Sequence, residues 1–156
     1  MLLEITKLGL KVKDIAPFNY KAYYKDGDDY VRSFYAEEAA DYHLNKTNLP
    51  LIKPLLLEFL EKVAVETRPA ALNDLKQYLA EDWLIAAAVN SRTLNGKAGF
   101  NGHVIVIFDF DNKSSTFRVH DPGLPAHANW RISDHDLEAA FNYLGPESSA
   151  FAAVRA

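Results

Sequence analysis

Cysteine is absent from the 156-residue sequence. This absence excludes disulfide bonds, thiolate metal sites and a cysteine nucleophile among the residues present. Long apolar runs are lacking as well, since none approaches the roughly 20 residues that cross a bilayer, and we expect no membrane span. The first residues, MLLEITKLGL, carry Glu4 where a signal peptide needs an uninterrupted apolar stretch. We therefore expect no secretion signal and a cytoplasmic location.

An excess of positive charge is missing too. The chain has 17 Lys and Arg against 21 Asp and Glu, and its formal net charge is -4. Proteins that bind nucleic acids usually present a basic patch or stripe, so we expect no nucleic-acid partner. Apolar residues make up 49% and charged residues 24%, which is the balance of an ordinary soluble globular protein. The length predicts a single domain spanning residues 1–156.

The order of helical and strand patterns predicts an α+β protein. In RPAALNDLKQYLAED the leucines recur at the spacing of one helical face, and Ser133 followed by Asp136 is typical of a helix start. The near-continuous apolar run WLIAAAVN indicates a central strand buried on both faces. Helical patterns dominate the first half of the chain and strand patterns the second. We therefore expect helices in the N-terminal half and an antiparallel sheet in the C-terminal half.

Residues 99–123, GFNGHVIVIFDFDNKSSTFRVHDPG, predict a β-hairpin with a polar turn. If the turn is centred on Asn112, Ile105 pairs with Val119 on a face that is apolar except at its open end. The opposite face is half polar. A shift of one residue would turn polar side chains into the apolar face, so the alternation favours this pairing.

The same pairing places His103 opposite Asp121 at the open end of the hairpin, with Cβ atoms about 5 Å apart. An aspartate in this position can accept a hydrogen bond from one imidazole nitrogen and so determine the tautomer of the histidine. Such a pair is the base and the orienting residue of a nucleophilic triad. The alternative is a surface ion pair at a strand end, which contributes less than about 1 kcal/mol.

These residues also carry a resemblance to a known family. The segments DWLIAAAVN, GFNG, GHVIVIFDFD and HDPG follow one another as an apolar strand, a glycine-rich loop, a Gly-His strand and an Asp-Pro end. In this order, over residues 70–123, the sequence resembles the papain-like cysteine peptidases of the bacteriocin-processing type and their bacterial relatives. The resemblance implies a papain-like fold and a peptidase or amide hydrolase activity.

The resemblance implies roles at matching positions only. His103 would be the general base that deprotonates a thiol, and Asp121 would orient it. The family places its nucleophilic cysteine at the start of an N-terminal helix, after a glutamine that helps form the oxyanion hole. Here no cysteine exists, and the only glutamine, Gln77, lies in the predicted helix before the apolar strand. We expect an inactive chain, either truncated before this helix or a natural pseudoenzyme; the helix-to-strand pattern at its start favours truncation.

The loop before His103 supplies further candidates. We predict four substrate-binding residues in and beside it: Asn90, Arg92, Asn95 and Gly102. Polar side chains there could bind a substrate backbone or carboxylate, and a glycine allows close approach to the histidine. Caps of a surface loop are an equally good interpretation. Ser91 and Thr93 are alternative nucleophiles, although a serine would still need an oxyanion hole.

No cofactor or metal site is expected, because His120 should point away from His103 and neither HxH nor HExxH spacing occurs. Loss of a nucleophile helix would expose apolar surface around Ile105, Ile107 and the LIAAAV strand. An exposed apolar patch marks an interface, so we expect a homodimer or a bound partner. Two functions stay open: a peptidase-type domain without its nucleophile, or a module that binds a peptide or protein in the same cleft.

Overall fold

The computed structural model describes all residues from 1 to 156. The helices are α1 (Leu2–Lys7), α2 (Tyr20–Asp26), α3 (Asp28–Phe34), α4 (Glu37–Lys46), α5 (Leu49–Ile52), α6 (Leu56–Lys62), α7 (Leu72–Ala80), α8 (Ser91–Leu94) and α9 (Asp134–Phe141). The strands are β1 (Lys11–Ala16), β2 (Ala64–Thr67), β3 (Leu84–Asn90), β4 (Gly102–Asp111), β5 (Thr116–Asp121), β6 (His127–Ser133) and β7 (Phe151–Arg155). None of the helices has the length and apolarity needed to cross a bilayer.

One seven-stranded sheet joins both halves of the chain in the order β2–β1–β7–β3–β4–β5–β6. Strands β1 and β2 are parallel, and every other neighbouring pair is antiparallel. The α+β class is confirmed, but the predicted division into halves is wrong. The N-terminal strands β1 and β2 belong to the sheet, because β1 pairs with the C-terminal strand β7. Helices α8 and α9 lie in the C-terminal half.

The main core lies on one face of this sheet, beneath α7 and α9. Helix α7 begins where the Asp74 carboxylate accepts a hydrogen bond from the Ala71 N–H at 2.7 Å. Helix α9 begins at Ser133, whose hydroxyl accepts one from the Asp136 N–H at 3.1 Å, as the sequence predicts. The helices and the strands beneath them share a set of buried apolar side chains: Leu75, Ile85, Ala87, Ile105, Ile107, Phe117, Val119, Leu137 and Ala140.

A second, smaller core holds together helices α2–α6, which form the crossover between the parallel strands β1 and β2. The Phe18 ring is at its centre, 5.3 Å from the Tyr20 ring, 5.1 Å from that of Tyr30 and 5.4 Å from that of Phe34, centroid to centroid. These aromatic side chains therefore pack short helices against one another. In the strand order this part adjoins the end of the sheet away from the β4–β5 hairpin.

The predicted exposure of Ile105 and Ile107 is wrong, because α7 and α9 cover their face and both side chains are fully buried. The side chains that alternate with them lie on the other face of the sheet. There Leu84 is 51% exposed and Val104 is 46% exposed, so β3 is buried on one face only and the predicted burial of both its faces is wrong. An apolar surface is therefore open on the outer face of β3 and β4 instead, and the homodimer or bound partner stays a prediction.

Candidate functional site

The β4–β5 hairpin differs in register from the prediction but keeps its two faces next to the open end. Val119 pairs with Ile107 instead of Ile105. The shift arises because the turn is longer, over residues 112–115, and because a β-bulge at Phe108 interrupts the ladder. Next to the open end the displacement is two residues. Strand side chains alternate with a period of two, so the side chains between His103 and Ile107 still point to their predicted faces. Beyond the bulge the alternation is reversed, and Phe110 packs against the core beside Phe117.

His103 and Asp121 meet at the open end of this hairpin. The continued register places Asp121 beside Ile105, so the two side chains meet diagonally and not in direct opposition. His103 Nε2 lies 2.5 Å from Asp121 Oδ1. The two side chains are 23% and 13% exposed, respectively, so water reaches this contact only partly. The predicted contact is therefore present, with a different strand pairing beneath it.

The Asp121 carboxylate is held by a second donor, because Oδ1 also accepts a hydrogen bond from the Gly123 N–H at 2.7 Å. Burial raises the pKa of Asp121, but the hydrogen bonds from His103 and Gly123 outweigh it, and the net effect lowers that pKa. A Cβ at Gly123 would lie 2.9 Å from Asp121 Oδ1 and 3.4 Å from His103 Nε2. Glycine is therefore the residue that allows the backbone to approach the pair so closely.

The second ring nitrogen of His103, Nδ1, has no hydrogen-bond partner in the chain. His103 and Asp121 line a groove of about 520 Å³ between the loop 91–101 and the segment 122–127. When Asp121 accepts the Nε2–H proton, Nδ1 of the neutral ring carries a lone pair. The pair can therefore accept a proton from an acidic group placed in the groove.

Asn90 is occupied by the loop that it begins. Its Oδ1 accepts hydrogen bonds from the N–H groups of Arg92 and Asn101 at 3.1 and 2.9 Å. Its Nδ2 donates to Thr93 Oγ1 at 2.8 Å and to the Gly99 carbonyl at 2.9 Å. The side chain is buried, and each of its polar atoms makes two bonds within the loop. Asn90 therefore holds the loop in shape with all of its polar atoms, and its predicted contact with a substrate stays a prediction.

The other three predicted substrate-binding residues differ in their positions. The Arg92 guanidinium turns back onto its own loop and donates to a backbone carbonyl at 3.0 Å. The space over Gly102 is taken by the Phe100 ring, which would lie 3.3 Å from a Cβ there. Asn95 is exposed and lines the groove beside His103. Of the four, Asn95 alone shares this groove with the His103–Asp121 pair.

Neither hydroxyl in the loop is bonded to His103. Ser91 Oγ donates to the Asn101 carbonyl at 3.2 Å and accepts from Asn101 Nδ2 at 2.7 Å. Thr93 Oγ1 accepts the hydrogen bond from Asn90. Activation of a nucleophile requires a hydrogen bond to the base. Ser91 and Thr93 therefore lack the bond that a triad nucleophile makes.

Sequence reasoning misses Lys97, His127 and Trp130, which also line the groove. The His127 and Trp130 rings stack with centroids 5.0 Å apart, and His127 pairs with Asp121 across β5 and β6. A signal for β6 existed, because Trp130 and Ile132 alternate with polar residues. A prediction of that strand beside β5 would have placed His127 and Trp130 at the groove.

No group of three or more His, Cys, Asp or Glu side chains is arranged to hold a metal ion. No protein-family model matches the sequence, and no curated protein is detectably similar to it. The functional interpretation therefore depends on the geometry of the groove and of the His103–Asp121 pair.

Proposed function

We propose that this chain provides the base and the orienting residue of a papain-like cysteine peptidase or amide hydrolase site, and that it is inactive without a thiol nucleophile. The observation that carries the proposal is the bond between His103 Nε2 and Asp121 in the wall of a groove, which leaves Nδ1 without a hydrogen-bond partner in the chain. The resemblance of residues 70–123 to that superfamily assigns the same roles to the same two residues. The papain-like fold is part of this proposal.

The proposed chemistry starts with transfer of a thiol proton to His103 Nδ1. The thiolate then attacks a carbonyl carbon, the imidazolium returns the proton to the departing amine, and a thioester remains for hydrolysis by water. Asp121 stabilises the imidazolium because its lowered pKa keeps it charged at neutral pH. Residues 1–156 contain no cysteine, so the thiol must come from outside these residues.

The second candidate function is a module that binds a peptide or protein in the same groove without chemistry. The lack of cysteine favours it, and so do the hydroxyls of Ser91 and Thr93, which are bonded within the loop and not to His103. The two functions differ in one consequence. Only the hydrolase requires His103 to accelerate the reaction of a thiol with an acyl group.

A small thiol added together with a peptide p-nitrophenyl ester tests the proposal. We expect the wild-type protein to accelerate the thiol-dependent release of p-nitrophenolate. His103→Gln should lower that acceleration at least about tenfold, because a positioned general base contributes roughly 10²–10⁴-fold and an untethered thiol recovers part of it. The measurement is the initial rate, by absorbance, at several thiol concentrations.

His120→Gln is the matched control, because His120 lies on the opposite face of the hairpin, where its ring stacks on Phe108 with centroids 4.5 Å apart. This variant should react like the wild type. Equal thiol-dependent rates in the wild type and His103→Gln would contradict the hydrolase. Peptide binding in the groove without any rate that depends on His103 would support the binding module.

A further inference from the structure

His103 lies between two recesses of opposite chemical character. The groove described above is mostly polar. The second recess is smaller, about 110 Å³, and His103 lines it together with apolar side chains of the loop and of the segment after α9. An extended peptide lying across His103 would therefore place neighbouring side chains in different surroundings.

The smaller recess has an exposed apolar wall. The Phe100 and Tyr143 rings stack with centroids 5.6 Å apart and 16° between their planes. They are nevertheless 54% and 42% exposed, and Leu144 beside them is 61% exposed. Large apolar side chains gathered next to a polar pair are typical of a ligand contact. This wall suits an aliphatic or aromatic side chain.

The larger groove is lined by one cation without an ion pair, Lys97, and by one carboxylate, Asp121. Lys97 lines it and forms no ion pair. Asp121 is the only carboxylate in the lining, and the hydrogen bonds from His103 and Gly123 both go to its Oδ1. A negatively charged group in the groove can pair with Lys97 on the loop 91–101, whereas Asp121 is engaged by His103.

We propose that the groove and the smaller recess together bind a peptide segment that carries an apolar side chain and a carboxylate close to each other in its sequence. The apolar side chain packs against Phe100, Tyr143 and Leu144, and the carboxylate pairs with Lys97. The inference rests on the proposed function only in taking this groove as the ligand site, and it applies to the hydrolase and to the binding module alike. The carboxylate comes from an acidic side chain or from a free C-terminus.

Four short acetylated peptides test the inference in NMR titrations of the wild-type protein. One contains Leu-Ala-Glu with an amidated C-terminus, one replaces Glu by Gln, one replaces Leu by Ser, and one is Leu-Ala-Ala with a free C-terminal carboxylate. We expect Leu-Ala-Glu to bind about fivefold more tightly than its Gln counterpart, the most that a partly exposed ion pair supports. Tight binding of the fourth peptide would identify the C-terminus as the carboxylate source.

Lys97→Glu should remove the preference for Glu over Gln. Lys113→Glu, in the turn at the far end of the hairpin, makes the same change of charge and should keep the preference for Glu over Gln. Leu144→Ser should remove the preference for Leu over Ser, whereas Leu8→Ser, at another exposed leucine, should keep it. Equal binding of all four peptides, no binding of any, or identical effects of the two lysine variants would overturn the inference.

The two proposals fail separately. A thiol-dependent rate that requires His103, together with equal binding of all four peptides, would remove this inference and leave the hydrolase. The predicted peptide preference without a rate that depends on His103 would support this inference and remove the hydrolase.

Discussion

Ile105→Ala is expected to lower the free energy of unfolding by about 2–5 kcal/mol, the range for removing most of a fully buried aliphatic side chain. Ile105 has no exposed surface and lies in the core beneath α7 and α9. It is also on the strand that carries His103, two residues further along. Urea denaturation monitored by tryptophan fluorescence gives the change directly.

Val104→Ala is the matched control, since Val104 is the neighbouring residue on the same strand but is 46% exposed on the outer face. Its cost should stay below about 1 kcal/mol, the span of strand propensity. A large loss at Val104 with a small loss at Ile105 would reverse the two faces of β4. His103 would then point away from the groove and its proposed role would fail.

Asn90→Ala is expected to cost about 2–4 kcal/mol and to loosen the loop 91–101. The substitution removes four hydrogen bonds from a buried side chain and leaves the Asn101 N–H and the Gly99 carbonyl without these partners. Amide exchange at Arg92 and Asn101 should become faster. Hydrogen exchange followed by NMR measures this opening, and denaturation measures the cost.

Asn95→Ala is the corresponding control, because Asn95 is exposed and donates one hydrogen bond, to the Ser91 carbonyl at 2.8 Å. Its cost should be under about 1 kcal/mol. If Asn90→Ala were as mild as Asn95→Ala, the loop would not depend on the buried amide. The geometry of the groove wall would then need another explanation.

Local patterns were sufficient for the elements around the site. The run WLIAAAVN corresponds to β3, the leucine spacing to α7, and Ser133 to the start of α9. The two faces of the hairpin next to His103 also follow from alternation alone, because the displacement there is two residues and preserves them. These features depend on residues a few positions apart, which is why the sequence predicts them.

Features that depend on distant contacts could not be predicted in this way. The longer turn displaces the register by three residues, and the bulge at Phe108, which has no marker in the alternation, reduces the displacement to two. Ile105 is buried by α7 and α9, and no local pattern indicates that these two helices cover the apolar face of β4. The role of Asn90 requires hydrogen bonds to Gly99 and Asn101, which lie nine and eleven residues further along the chain and come close to Asn90 only in the folded loop.

The central claim is that His103 and Asp121 form one assembled pair, and the titration of the Asp121 carboxyl carbon by NMR tests it most directly. In the wild type the pKa of Asp121 should lie below the ordinary value of about 3.9, because the bonds from His103 and Gly123 outweigh burial. In His103→Ala it should rise, whereas His120→Ala should leave it unchanged. An ordinary pKa that is the same in all three proteins would contradict the account.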